Sequence, residues 1–208
     1  NALLFLYQLL LPEQERQIFI RQAGLIPAEL TAGVLSAVPD LLTSMFLHGG
    51  WIHIISNMLY LWIFGDNIED LVGPMLYLLF YLAAGVIAAL AQVAVAPNSR
   101  IPTIGASGAI AGVLGAYGVV FPGRRIRTLL LLGYWIRMIY LPAFVLLGFW
   151  FVLQLFNGVA SLGVQTGGGV AWFAHIGGFV AGVIVGVLLR GRARRRSWLP
   201  DPYSRRPD

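Results

Sequence analysis

The nineteen residues TIGASGAIAGVLGAYGVVF, Thr103 to Phe121, decide how the rest of the chain is read. They carry no charge and approach the ~20 residues that a helix needs to cross the hydrocarbon core of a bilayer. They also place Ser107 near the start of the run, between Gly105 and Gly108. Gly, Ala and Ser in such a segment let helix backbones approach closely in lipid, so Ser107 reads first as a packing residue. A chemical role needs support from what accompanies it.

Working outward, further uncharged runs predict spans at Trp51–Gly65, Met75–Ala96, Tyr140–Asn157 and Val170–Leu189. Asn1–Leu11 is too short to cross and reads as the remainder of a first span. With 58% hydrophobic and 11% charged residues, the expectation is an all-α polytopic membrane protein, a six-helix membrane domain over residues 1–189 followed by a basic, disordered cytoplasmic tail over 190–208. All 14 basic residues are arginines: Arg124, Arg125 and Arg127 follow the serine run, and Arg190, Arg192, Arg194, Arg195 and Arg196 follow the last. The positive-inside bias then puts both termini in the cytoplasm. The tail reads as an orientation and anionic-lipid signal rather than a nucleic-acid site.

Pro12–Leu47 mixes polar residues with Phe19, Leu25, Ile26, Leu30, Val34, Leu35 and Leu41, a composition that predicts a long, partly embedded outer loop. Thr128–Ile139 is apolar but interrupted by Gly133 and Arg137, and fits either an extension of the next helix or a surface segment. The chain has no cysteine, which excludes disulfides, thiolate metal sites and a cysteine nucleophile.

Ionisable groups at span depth are expensive and mark functional positions. All three histidines fall there, in HGGWIHIISNMLY (His48, His53, with Asn57) and GVAWFAHIGGFVAG (His175). His53 and Asn57 are four apart and share a helix face. His48 points elsewhere, next to Gly49-Gly50, and suits satisfaction of loop backbone. Below Ser107 runs a stripe of Gly108, Ala111, Gly115 and Gly118; below His175 runs one of Gly178, Gly182 and Gly186. If the stripes face each other, Ser107 and His175 top one seam, and a hydroxyl gains the base that makes it a nucleophile. From Leu71 to Pro200 there is no Asp or Glu, so a Ser-His dyad is the economical reading, with Asp40 of the outer loop the one acid left open. Oxyanion donors would be His53, Asn57 and the backbone N–H of Ser107.

Rival membrane hydrolases lack their signatures: there is no His-Glu-x-x-His, no span with two aspartates and no second glycine for a Gly-x-Ser-x-Gly elbow. A catalytic zinc on His48, His53 and His175 is the surviving rival, without nearby carboxylates to orient the ligands. No cofactor is called for otherwise.

In order along the chain, His48-x4-His53-x3-Asn57, Gly105-Ala106-Ser107-Gly108 and Ala174-His175-Ile176-Gly177-Gly178 with Gly182 make the chain similar to the rhomboid intramembrane serine proteases. The resemblance implies a six-helix bundle in which Ser107 is nucleophile, His175 general base, and His53 and Asn57 oxyanion ligands. It implies cleavage in or near transmembrane segments of other membrane proteins, after a small side chain, within a lipid bilayer and without nucleic acid. A bacterial cell membrane is the expected setting, with the site open to the outer side. Two positions depart from the family pattern: Pro39-Asp40 stands where a Trp-Arg pair is usual, and Ala111 where a tyrosine commonly stacks on the histidine. The glycine-rich GVASLGVQTGGG, Gly158–Gly169, is the expected mobile cover. The alternative within the family is a silent, binding-only relative; those typically lack the serine or the histidine, and both are present here.

Overall fold

Prolines and glycines set the helix boundaries. In a computed structural model of the chain, which describes residues 1–132, 135–162 and 169–196, Pro27 and Pro74 stand at first helical positions, where a missing N–H costs nothing. The order is α1 (Ala2–Leu10), α2 (Glu13–Ala23), α3 (Pro27–Thr31), a 3-10 turn (Leu35–Ala37), α4 (Asp40–Thr43), a second 3-10 turn (Ser44–Phe46), α5 (Trp51–Val72), α6 (Pro74–Val95), α7 (Ser107–Val120), β1 (Arg125–Leu132), β2 (Trp135–Pro142), α8 (Ala143–Ser161) and α9 (Trp172–Arg196).

Among the described residues, three helices are long and apolar enough to cross a membrane: α6, α8 and the Trp172–Gly191 part of α9. The 22 residues of α5 carry Asp66, Glu69 and Asp70 in the last two turns. The run that predicted a span from Thr103 is shorter as a helix: α7 begins at Ser107 and its 14 residues rise only about 21 Å. Thr103 instead pairs with Leu25, each donating its N–H to the other's carbonyl at 2.7 and 3.1 Å, and Gly105 breaks the chain direction at φ +118. The stretch between α1 and α5 is a series of short helices and turns. Leu25 packs there against Ala89 and Val93 of α6.

Helix α7 is the centre of the molecule, with α5, α6, α8 and α9 all packed on it and nearly every residue buried. Its seam with α9 is made of glycine. A Cβ at Gly178 or Gly182 would collide with the carbonyl oxygens of Gly108 and Gly112, one at Gly115 with the carbonyl of Phe179, and one at Gly186 would lie 2.9 Å from that of Ala116. The expected stripes thus face each other, with one correction: Gly118 has rotated off the seam and faces Leu147 of α8. Gly112 and Ala116, at i+4 spacing from Gly108, take the seam, because 3.6 residues per turn carry a mixed three-four stripe around the helix.

One expectation gives way. The chain is mostly helical but not all-α, since β1 and β2 pair antiparallel from Arg125↔Pro142 to Leu132↔Trp135. Within β1 the period-two pattern Arg125-Ile126-Arg127-Thr128 dissolves into four leucines, which hides the strand. Helix α9 continues to Arg196, and of the expected tail over 190–208, residues 197–208 lie outside the described part.

Candidate active site

Ser107 is the first residue of α7, so its backbone N–H is one of the donors that a helix leaves without an internal partner. Across the glycine seam, His175 lies in the first turn of α9. His175 Nε2 and Ser107 Oγ are 2.8 Å apart. The seam creates this proximity, since each helix axis is held to the other by backbone contact immediately below the pair.

The other ring nitrogen has a partner that sequence reasoning missed. Gln154 of α8 places Oε1 2.8 Å from His175 Nδ1. Asp40, the acid left open, accepts instead a 3.4 Å hydrogen bond from Thr43; burial pushes its carboxyl up and the Thr43 bond opposes that shift. Trp150 of α8 lies beside the His175 ring with centroids 5.9 Å apart and planes at 35°, and Trp172 meets it edge-on at 6.3 Å. These rings stand around the histidine where Ala111 leaves no tyrosine to stack. A glutamine in the middle of the apolar run of α8 was the available signal.

His53 approaches from α5. Its Nδ1 accepts the Gly49 N–H at 3.3 Å, which in the neutral ring leaves the proton on Nε2. That nitrogen lies against Gly105, where an added Cβ would come within 2.6 Å of it and 3.8 Å of Ser107 Oγ. Gly105 is therefore required twice, by its backbone angle and by the imidazole occupying the place of a side chain. Asn57, one turn further along α5, is buried with its Nδ2 unpartnered.

His48 does not join this group through its side chain. Its Nδ1 donates to the Phe46 carbonyl at 3.3 Å. Gln8 of α1 clamps its backbone, accepting from the N–H at 3.1 Å and donating to the carbonyl at 3.2 Å. His48 and His53 rings meet edge-on at 5.1 Å. Among the described residues no three His, Cys, Asp or Glu side chains are grouped to hold a metal ion. Of the expected cover, Gly158–Ser161 is the last turn of α8, and residues 163–168 lie outside the described part.

The chain matches the Rhomboid domain family over residues 36–192. It is 34% identical over 156 residues to the Rhomboid protease GluP of Bacillus subtilis, covering 75% of this chain and 28% of that protein. It is 28% identical over 154 residues to Rhomboid protein 1, mitochondrial, of Saccharomyces cerevisiae, covering 71% of this chain and 40% of the other. It is 36% identical over 93 residues to the mitochondrial presenilin-associated rhomboid-like protein of Bos taurus, covering 44% and 25%. The chain thus spans well under half the length of these relatives.

Proposed function

The chain belongs to the rhomboid family, and from that footing we propose that it is an intramembrane serine endopeptidase acting on transmembrane segments of other membrane proteins. The observation that carries this reading is the 2.8 Å contact between Ser107 Oγ and His175 Nε2 inside a membrane-protein core. In the proposed reaction His175 Nε2 takes the hydroxyl proton as Oγ bonds to the scissile carbonyl carbon, whose π electrons move to oxygen. The imidazolium then protonates the leaving amine, and water releases the acyl-enzyme by the same steps in reverse.

The developing oxyanion would be met by the Ser107 N–H at the positive end of α7, by Nε2–H of His53 and by Nδ2 of Asn57. An unpartnered buried donor such as Asn57 Nδ2 costs free energy until it finds an acceptor, which favours an acceptor that forms in the transition state. Gly105 and Gly108 support the serine turn, and Gly178 and Gly182 the approach of α9.

We further assign six spans to α1, α5, α6, α7, α8 and α9, within a membrane domain over residues 1–189. The arginines after α7 and α9 support cytoplasmic termini and an outer opening for the site. The Pro12–Leu47 stretch would then sit partly embedded on the outer side. With relatives in a bacterium and in mitochondria, a bacterial cell membrane is our reading of the setting. Because a helix hides its carbonyls in hydrogen bonds, the substrate segment must unwind locally, so helix-weakening residues should make it cleavable.

The test is labelling by a fluorophosphonate probe together with cleavage of a transmembrane reporter, in wild type and in Ser107→Ala. Loss of both in the variant supports the reading, and substantial residual cleavage sinks it.

A further inference from the structure

The group behind the histidine is an amide, and that has chemical content. Gln154 is 6% exposed. Its Oε1 stands 2.8 Å from His175 Nδ1, while its Nε2 donates to the Trp150 carbonyl one turn back at 3.4 Å. In this orientation the carbonyl oxygen has no proton to give, so Nδ1 carries one, and the lone pair of Nε2 is left facing Ser107 Oγ. With the amide reversed, its NH2 would face Nδ1, the ring proton would move to Nε2, and the imidazole would donate to the serine instead of accepting from it. The bond to Trp150 opposes that reversal.

We propose that Gln154 is a positioning residue for the general base: it holds His175 in the tautomer and ring orientation that can take the serine proton, and it makes α8 part of the reacting assembly. The inference rests on the Ser107–His175 reading above and adds a role that no charge pattern revealed. As Oγ–H transfers its proton to Nε2, the ring becomes an imidazolium with a proton on each nitrogen. The Nδ1–H stays hydrogen-bonded to Oε1, whose partial negative charge faces the new cation. A glutamine offers this without a full buried charge, whose desolvation in this core would be costly.

The surroundings keep the test clean. His175 is met by Ser107 from α7, Gln154 and Trp150 from α8 and Trp172 from its own helix, and the titratable group nearest to it in effect is His53 of α5. Helices α6 to α9 contain no Asp or Glu, and the acids of α5 begin at Asp66, thirteen residues and about 20 Å along the helix from His53. A carboxylate introduced at position 154 would be the only one facing the ring from these helices.

The experiment compares wild type, Ser107→Ala, Gln154→Leu and Gln154→Glu in detergent, measuring thermal unfolding, reporter kcat and KM, and the pH profile of fluorophosphonate labelling. Gln154→Leu should label about 10- to 100-fold more slowly with KM unchanged, by analogy with the loss when a metal-bound imidazole is deprived of the partner that orients it. Gln154→Glu should keep labelling, with the acidic limb of its profile moved to higher pH, because a carboxylate beside the imidazolium favours the protonated ring. A merely structural glutamine would change the melting temperature and leave that limb in place. Wild-type labelling by Gln154→Leu, or an unmoved limb in Gln154→Glu, overturns the positioning role while leaving serine chemistry standing. If Gln154→Leu does not fold, the Gln154→Glu profile decides alone. Labelling that persists in Ser107→Ala overturns the serine reading first and the positioning role with it.

Discussion

Helix α9 packs on α6, α7 and α8, and the last two hold it in opposite ways. Against α7 it lies backbone to backbone, with the carbonyls of Gly108 and Gly112 filling the space where side chains of Gly178 and Gly182 would be. Against α8 it is held by rings: Phe151 stacks on Phe179 with centroids 4.5 Å apart, Trp150 lies 5.8 Å from the same ring, and Gly158 makes room for Ile176, Phe173 and Trp172. The first seam has no rotamers to change. The second can adjust by small ring movements. The molecule puts the two atoms that must meet, Ser107 Oγ and His175 Nε2, across the inflexible seam, and the group that orients one of them, Gln154, across the adjustable one.

The comparison is broken most severely at the head of the tight seam. Ser107→Ala and His175→Ala should each abolish reporter cleavage and leave the fold intact, and the double variant should be little worse than either, because the two act as a unit. Activity assays with matched thermal melts check this.

Next come the donors on α5. His53→Ala and Asn57→Ala should each slow acylation by about 10²- to 10³-fold, roughly 2.7 to 4 kcal/mol, with little change in substrate binding. If Asn57 only ties α5 to its neighbours, Asn57→Ala instead lowers the melting temperature and leaves acylation unchanged.

The seams themselves are compared by adding a single methyl group. Gly182→Ala drives a Cβ into the Gly112 carbonyl and should destabilise by about 3 kcal/mol, the upper end for overpacking, with loss of labelling. Gly148→Ala, on α8 where a Cβ meets nothing within 4 Å, should be stabilising by roughly 0.4 to 1 kcal/mol. Melting curves of the two variants should therefore move in opposite directions. The smallest expected effect is none: prolonged chelation should leave cleavage unchanged, whereas loss of activity restored by zinc alone would revive the three-histidine site.

Much of this was legible because membrane folding simplifies the code. Every histidine falls in or beside an apolar run, and the small residues below Ser107 and His175 announce a close approach, so the pairing of α7 with α9 could be read from spacing. Gly118 was misplaced because a stripe of mixed three- and four-residue steps drifts around a helix. Gln154 was not legible for a different reason. Its helix carries a second amide, Asn157, nothing in the sequence separates the two, and the role of Gln154 exists only once α8 is docked beside α9. The hairpin was hidden by its leucine run, and the start of α7 by the lack of any charge before Ser107. There the deciding constraint is tertiary, the pairing of Thr103 with Leu25 and the left-handed turn at Gly105.

If Ser107 is the nucleophile and His175 its base, as proposed, their separation has a consequence for biosynthesis. The two lie 68 residues apart in sequence, and at about 5 to 20 residues per second a ribosome needs roughly 3 to 14 s to travel between them. During that interval the nucleophile's helix has been made while its base has not. A bare hydroxyl among the apolar segments of other nascent chains is harmless, since serine without a base is unreactive. The glycine groove of α7 closes only when α9 arrives, and the same event that completes packing delivers the imidazole. On the proposed reading, closing the α7–α9 seam and gaining a reactive serine would be one step, and a chain stalled before His175 would be inert without any inhibitory segment.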